Sequence, residues 1–310
     1  MPTILITGGT GLIGTRLTQL LIADGFEVII LSRRSPAAGK MMAGVSYANW
    51  DIEKQTVDKK AVSKADHIIH LAGEGVADKR WNKKRKQEIV KSRTQTSTLI
   101  VNALREIPNH VQSVISASAI GWYGADTAIS QGDGFTEEAP PDSAFLGEAC
   151  RLWETSIQPI EDLGIRLVKL RTGIVLSNDG GALQEFKKPL KAGVAAILGN
   201  GRQVISWIQV DDLCRMYIHA IKNEKMHGAY NAVAPNPVTN KQLTLSLAKL
   251  IRGNFYLPIH VPSFILKIVL GEMSIEVLKS ATVSCQKIQT AGFAFLYPTL
   301  TKTFAQLFNK

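Results

Sequence analysis

Through the first half of the chain, apolar runs of four to six residues alternate with longer stretches whose apolar positions recur every three or four residues. The short runs predict β-strands at Thr3–Thr7, Glu27–Ser32, Val45–Ala48, His67–Leu71, Val111–Ser116 and Arg166–Arg171. The stretches between them predict amphipathic helices at Leu12–Asp24, Lys54–Val62, Trp81–Arg105 and Leu146–Leu163. Strand and helix in strict alternation imply a parallel sheet, because parallel neighbours need crossover connections, and those connections cover both faces. The expected class is therefore α/β, a Rossmann-type doubly wound parallel sheet occupying residues 1–172.

Beyond Thr172 the rhythm loosens. "DGGALQEF" (179–186) and "GNGRQ" (199–203) read as loops and "VISWI" (204–208) as one short strand. Asp212–Lys222, Thr239–Leu250 and Val261–Leu270 read as helices, the last started by Pro262. This predicts a smaller mixed α/β region over 173–310, returning over the carboxyl edge of the sheet as the substrate side of a cleft.

At 310 residues, 45% hydrophobic and 20% charged, the composition is that of a folded protein. No apolar run approaches the roughly 18 residues of a membrane-spanning helix, and the chain enters its first strand without a basic leader, so a cytoplasmic protein with no membrane partner is expected. Cys150, Cys214 and Cys285 have neither metal-ligand spacing nor an even count, so neither a metal site nor a disulfide framework is expected. Net charge is +10, and eight Lys or Arg residues fall between Asp78 and Arg93 against only Asp78 and Glu88. That segment raises nucleic acid as a partner. A solvated helix face accounts for it more simply, and the favoured partner is a small anionic molecule.

The most specific local signal follows the first strand. Gly8-x-x-Gly11-x-x-Gly14 opens directly onto a helix pattern, the arrangement in which glycines permit a tight turn, close approach to a pyrophosphate and close helix–strand packing. The free N–H groups at the helix start then hold the anion. At the end of the second strand an NAD site usually carries an acidic residue; here stand Ser32, Arg33 and Arg34, two guanidiniums suited to a ribose 2′-phosphate. NADP is the expected cofactor, with NAD as the alternative.

With "TGGTGLIG", "HLAGEG" and "SASAIGWYG", the sequence resembles the extended short-chain dehydrogenase/reductases of the NAD-dependent epimerase/dehydratase type. "RWNKKRKQEIVKSR", "LRTGIVLSNDGGAL", "SWIQVDDL" and the C-terminal stretch from "VPSFILK" resemble the uncharacterised YfcH-like subgroup, with a terminal domain of unknown function at about 255–303. The resemblance implies that Thr10, Leu12 and Ile13 join the three glycines at the pyrophosphate. It also implies that Leu71, Ala72 and Gly73 pass the adenine-side ribose, and that Ser116 and Ala117 lie near the nicotinamide ribose. Ser118 falls at the catalytic hydroxyl position, with an insertion after it, and a homodimer is possible by analogy.

One departure is serious. The family's Tyr-x-x-x-Lys pair is absent from "SAFLGEACRLWE": aligned on Glu154, Leu146 and Cys150 hold the two positions, and one register earlier Phe145 and Ala149 do. Neither leucine nor phenylalanine can exchange a proton with a substrate hydroxyl, and Glu148 and Cys150 of the same region are weaker candidates for that role. Tyr123 is the nearest phenol in sequence and is the candidate acid/base, facing the nicotinamide end with Ser118 as orienter; a packed loop aromatic is the competing reading. Arg80 and Trp81, together with Ser92 and Arg93, are candidates for an anionic substrate, with a solvent-facing helix as the alternative, and Gln184 is a candidate on position alone. Asp212 is expected to cap its helix. The function expected is an NADP-dependent oxidoreductase or nucleotide-sugar-epimerase-like enzyme of unknown substrate, or alternatively a non-catalytic NADP(H)-binding regulatory or scaffold protein.

Overall fold

The computed structural model describes residues 1–34, 42–130 and 132–308. Its frame is an eight-stranded sheet of β1 (Thr3–Thr7), β2 (Glu27–Ser32), β3 (Val45–Asp51), β4 (Thr56–Val57), β5 (His67–His70), β6 (Ser113–Ala119), β7 (Arg166–Thr172) and a later strand, Gly228–Ala232. The order runs Gly228–Ala232, β7, β6, β5, β1, β2, β3, β4, parallel throughout except at the β3–β4 edge. Strand order therefore reverses between β1 and β5, and the carboxyl ends of those two strands frame the crevice where such sheets bind ligands.

Alternation along each strand sends side chains to two cores. Ile4 and Ile6 of β1 join a cluster with Leu17 and Leu21 of α1 (Leu12–Ala23), whereas Leu5 faces Val62 of α2 (Lys59–Lys64) and Leu99 and Ile100 of α3 (Lys83–Glu106). Each such side chain, removed wholly from water, contributes about 1.5–3 kcal/mol. Asp58 and Asn82 start α2 and α3 by accepting the N–H groups of Ala61 and Arg85 at 3.0 and 2.8 Å. Helix α4 (Phe145–Ile157) then tightens into a 3₁₀ segment at Gln158–Leu163, so the helix expected to reach Leu163 changes form where Pro159 enters.

Four further expectations are corrected. The loop read at 179–186 is partly helix, α5 (Ala182–Lys191), because Gly181 turns the chain at φ +69° and Leu183 and Leu190 are buried in a separate core. That core also holds Trp207, with Leu243 and Leu247 of α7 (Asn240–Arg252). "VISWI" is two strands, Val204–Ile205 and Trp207–Gln209, in different two-stranded sheets. Ser206 breaks the run, its hydroxyl donating to the Ala281 carbonyl and accepting from the Val283 N–H. Val261 ends a strand, Leu257–Val261, and the helix α8 (Ser263–Leu270) follows Pro262. Lastly, the sheet does not close at residue 172, since α6 (Val210–Lys222) packs into its core beside Leu17 and Leu21 and Gly228–Ala232 pairs with β7.

Candidate active site

At the carboxyl end of β1 the glycines are set by contact rather than by composition alone. Gly8 has φ +70°, and a Cβ there would lie 2.9 Å from the Leu71 carbonyl carbon; one at Gly14 would lie 2.3 Å from the Gly8 oxygen. Side chains at these positions would force the turn away from β5 and α1 away from the turn. Gly11 differs. It has extended backbone at φ −79°, and its missing Cβ would meet only the Gly8 oxygen, at 3.4 Å, so it faces open space. The first helical bond runs from Thr15 N–H to the Gly11 oxygen, and no side chain caps α1, which leaves the N–H groups of Leu12, Ile13 and Gly14 for an anion. A dinucleotide diphosphate fits this cradle, with Thr10 exposed beside it.

The neighbouring segments close on the same point. Leu71 N–H bonds to the Thr7 carbonyl, and Ala72 N–H to the Thr7 hydroxyl. That hydroxyl also meets His70 Nδ1 at 2.7 Å, and burial pushes the His70 imidazole down to about 3, keeping it neutral. At the end of β2 the Ser32 hydroxyl donates to the Arg34 carbonyl, and Arg33 and Arg34 are exposed with no carboxylate partner among the described residues. Ser116, fully buried on β6, donates to the Ala117 carbonyl at 3.1 Å.

Helix α4 meets the end of β6 where the acid/base pair belongs. Leu146 and Cys150 both pack on Gly121, and the Cys150 thiol reaches the Ala119 carbonyl at 3.6 Å. Burial pushes that thiol up to about 12. Ser118 turns elsewhere: its hydroxyl donates to Glu154 Oε1 at 2.7 Å, one helical turn beyond Cys150. Glu154 takes a two-pronged bond from Arg171 at 2.8 and 3.1 Å, and Arg171 stacks on Trp122 at 3.8 Å. Tyr123, expected at the nicotinamide end, instead belongs to this buried network. Its hydroxyl donates to Asn231 Oδ1 at 2.5 Å and accepts from Arg171 at 3.0 Å, while the ring stacks on Phe135. Burial raises the phenol above its ordinary value against the pull of Arg171, so its proton is held. Glu154, Arg171 and Asn231 were missed in the sequence because their partners lie 17 to 108 positions away.

The remaining candidates sit in the covering layer. Gly180 and Gly181 touch the Leu12 side chain, which places their turn over the start of α1, and Gln184 donates within that turn to the Asn178 carbonyl. Trp81 is buried, edge-on to Phe145 at 4.9 Å with its indole N–H on the Val76 carbonyl. Arg80 is exposed and lies against Gly271, while Lys86 pairs with Glu272, so the segment after α8 seals the outer end of α3. Asp212 does not cap α6. Gln209 does, and Asp212 accepts the N–H groups of Leu296 and Tyr297 at 3.0 and 2.8 Å. Asp211 binds Arg16 of α1 at 2.5 Å and Gln306 near the carboxyl terminus. An open cavity of about 690 Å³ beside Glu137, Tyr230 and Lys287 lies at the Gly228–Ala232 edge, four strand spacings from β1, and borders the buried network where Glu137 accepts from Arg171 and from the Asn231 N–H.

Sheet order, glycine turn and covering layer define an extended short-chain dehydrogenase/reductase. The chain belongs to the NAD dependent epimerase/dehydratase family, whose model matches residues 4–232; a second model, a domain of unknown function (DUF1731), matches 261–307. The Bacillus subtilis epimerase family protein YfhF is 35% identical over 305 residues, covering 98% of this chain and 97% of the relative. The human epimerase family protein SDR39U1, solved with NADPH, superposes with a TM-score of 0.87 at 28% identity, covering 99% of each chain. A nucleoside-diphosphate sugar epimerase from Corynebacterium glutamicum superposes at 0.75 and 32% identity over 98% of this chain and 58% of that one.

Proposed function

We propose that this chain binds NADP(H) and catalyses an oxidoreductase or epimerase-like reaction on a small anionic substrate. The observation that carries the cofactor choice is the pair of exposed guanidiniums, Arg33 and Arg34, with no carboxylate partner among the described residues, where an acidic residue would select NAD. The NADPH in the human relative's structure supports it. The first-turn N–H groups of Leu12, Ile13 and Gly14 hold the diphosphate, Leu71 to Gly73 back the adenine-side ribose, and Ser116 and Ala117 border the nicotinamide ribose. When bound, the nicotinamide supplies or accepts hydride at C4. Ser118, its proton donated to Glu154, can orient a substrate hydroxyl only by accepting from it.

A second reading, a cofactor-binding regulatory or scaffold protein without turnover, is favoured by one specific observation: Leu146 carries no exchangeable proton, the buried Cys150 thiol keeps its proton against the Ala119 carbonyl, and the Tyr123 proton is committed to Asn231. Titration calorimetry should give NADPH an affinity at least tenfold above NADH. Mixing the NADPH complex with a broad panel of carbonyl compounds and following nicotinamide absorbance separates the two readings. Loss of absorbance supports an enzyme, and stable binding without oxidation supports the regulator. Uptake of neither dinucleotide defeats both.

A further inference from the structure

Most arginines around the crevice are spoken for. Arg85 reaches Glu74 and Glu88 and the Gly75 carbonyl, Arg171 holds Glu154, and Arg16 holds Asp211. Arg93 is different. It rises from α3 half-buried, its guanidinium carbon 4.9 Å from the Trp153 ring, and no described carboxylate lies within ion-pair distance. Its hydrogen bond runs to a carbonyl of its own helix, Ile89, at 2.9 Å. Burial lowers its pKa, with Arg85 adding to the effect and Cys150 and Glu74 opposing it.

Its placement is specific. A Cβ on exposed Gly73 would lie 3.3 Å from both Cγ and Cζ of Arg93, so the Arg93 side chain lies packed against this glycine beside the end of β5 and would have to give by a few tenths of an ångström to any larger residue. Ser92, the preceding residue, fixes that loop by accepting the Glu74 N–H at 3.0 Å. Gly8 of the cofactor turn abuts Leu71 and Ala72 immediately upstream, and Cys150 and Trp153 of α4 flank the guanidinium from the other side. The cation thus stands between the diphosphate turn and the α4 positions where acid/base groups belong.

We infer that Arg93 is the anchor for the anionic group, carboxylate or phosphate, of the substrate. The inference deepens the proposed function and rests on its reading of the crevice. A planar fork stacked on an indole is preorganised to grip two oxygens. Protein saturated with NADPH is titrated calorimetrically with malonate and, separately, with inorganic phosphate, for the wild type, Arg93→Gln and Arg93→Lys. Wild type should bind one of the two, identifying the anion class. Arg93→Gln should weaken that binding about ten- to a hundredfold, and Arg93→Lys, losing the fork but keeping charge, should fall between. NADPH affinity should stay within twofold in both variants. Equal anion binding by all three proteins, or none by the wild type, overturns the assignment and leaves Arg93 a packing residue; a loss of NADPH affinity instead makes it a cofactor contact and also overturns it. Should the wild type take up no NADPH, the cofactor reading fails alone, and the same anion titration without cofactor still decides Arg93.

Discussion

Gly11→Ala and Gly14→Ala add the same methyl three residues apart, and the structure assigns them opposite consequences. At Gly14 the new carbon lies 2.3 Å from the Gly8 oxygen and 2.6 Å from the Gly9 Cα, so α1 and the turn must part by about 0.7 Å to reach a 3.0 Å contact. Overpacking of this kind costs about 1–3 kcal/mol, and each kilocalorie lowers the melting temperature of a domain this size by roughly 2–4 °C. At Gly11 the methyl meets nothing closer than 3.4 Å, on extended backbone that alanine adopts freely. The unfolded-state entropy gain of about 0.4–1 kcal/mol offsets the loss of a tolerable cap, so stability should change by less than about 0.5 kcal/mol. Yet that methyl projects where the diphosphate would approach, and NADPH affinity should fall at least about tenfold. Thermal melting without cofactor and calorimetric titration with NADPH read the two effects separately. If Gly11→Ala binds NADPH like the wild type, or Gly14→Ala melts like it, the physical account of this turn is wrong.

Replacing both Arg33 and Arg34 with Gln should cost NADPH roughly ten- to a hundredfold in affinity while leaving NADH within twofold; equal losses for both cofactors would place the guanidiniums elsewhere than the 2′-phosphate. Glu154→Ala strands the Arg171 guanidinium, whose side chain is 4% exposed, and should destabilise by about 3–5 kcal/mol; a melting temperature within 2 °C of the wild type would contradict that. His70 stays neutral when folded down to about pH 3, whereas the unfolded chain protonates it near 6.5. Stability is therefore intact above 6.5 and drains as pH falls toward 3, by up to about 1.4 kcal/mol per unit. Melts of the wild type and His70→Asn between pH 7 and 4.5 should diverge, and parallel profiles would refute the titration. Tyr123→Phe should leave NADPH binding unchanged but lower stability by about 1–3 kcal/mol through the unpaired Asn231 oxygen; abolished turnover with intact stability would restore the phenol to catalysis.

The parallel sheet was legible because its signal is local. Ile4, Leu5 and Ile6 are apolar in sequence for the same reason that they fill both cores, and Gly8 to Gly14 carry a pattern that short-range geometry enforces. Arg33 and Arg34 stand exposed after β2, where the strand pattern put them; their role toward the cofactor is a separate question of affinity. The far half was less so, because Gly181 starts a helix only when Leu183 and Leu190 find a second core, and Ser206 splits a strand only by bonding to residues 75 and 77 positions away. The same limit explains the hydroxyls. Nothing near Ser118 or Tyr123 in sequence announces Glu154, Arg171 or Asn231, so the polar network that captures them appears only when β6, β7, α4 and Gly228–Ala232 are assembled.

The adjacent aspartates of α6 bear on what can be removed from this protein. A chain ended before residue 294 would deprive the wholly buried Asp212 of the Leu296 and Tyr297 amides and take Gln306 from Asp211, beneath the helix that carries the dinucleotide turn. The two family matches thus divide the text of the chain but not its folded body. The terminal piece works as a keystone, and excising it should yield an insoluble remnant rather than a smaller cofactor-binding protein.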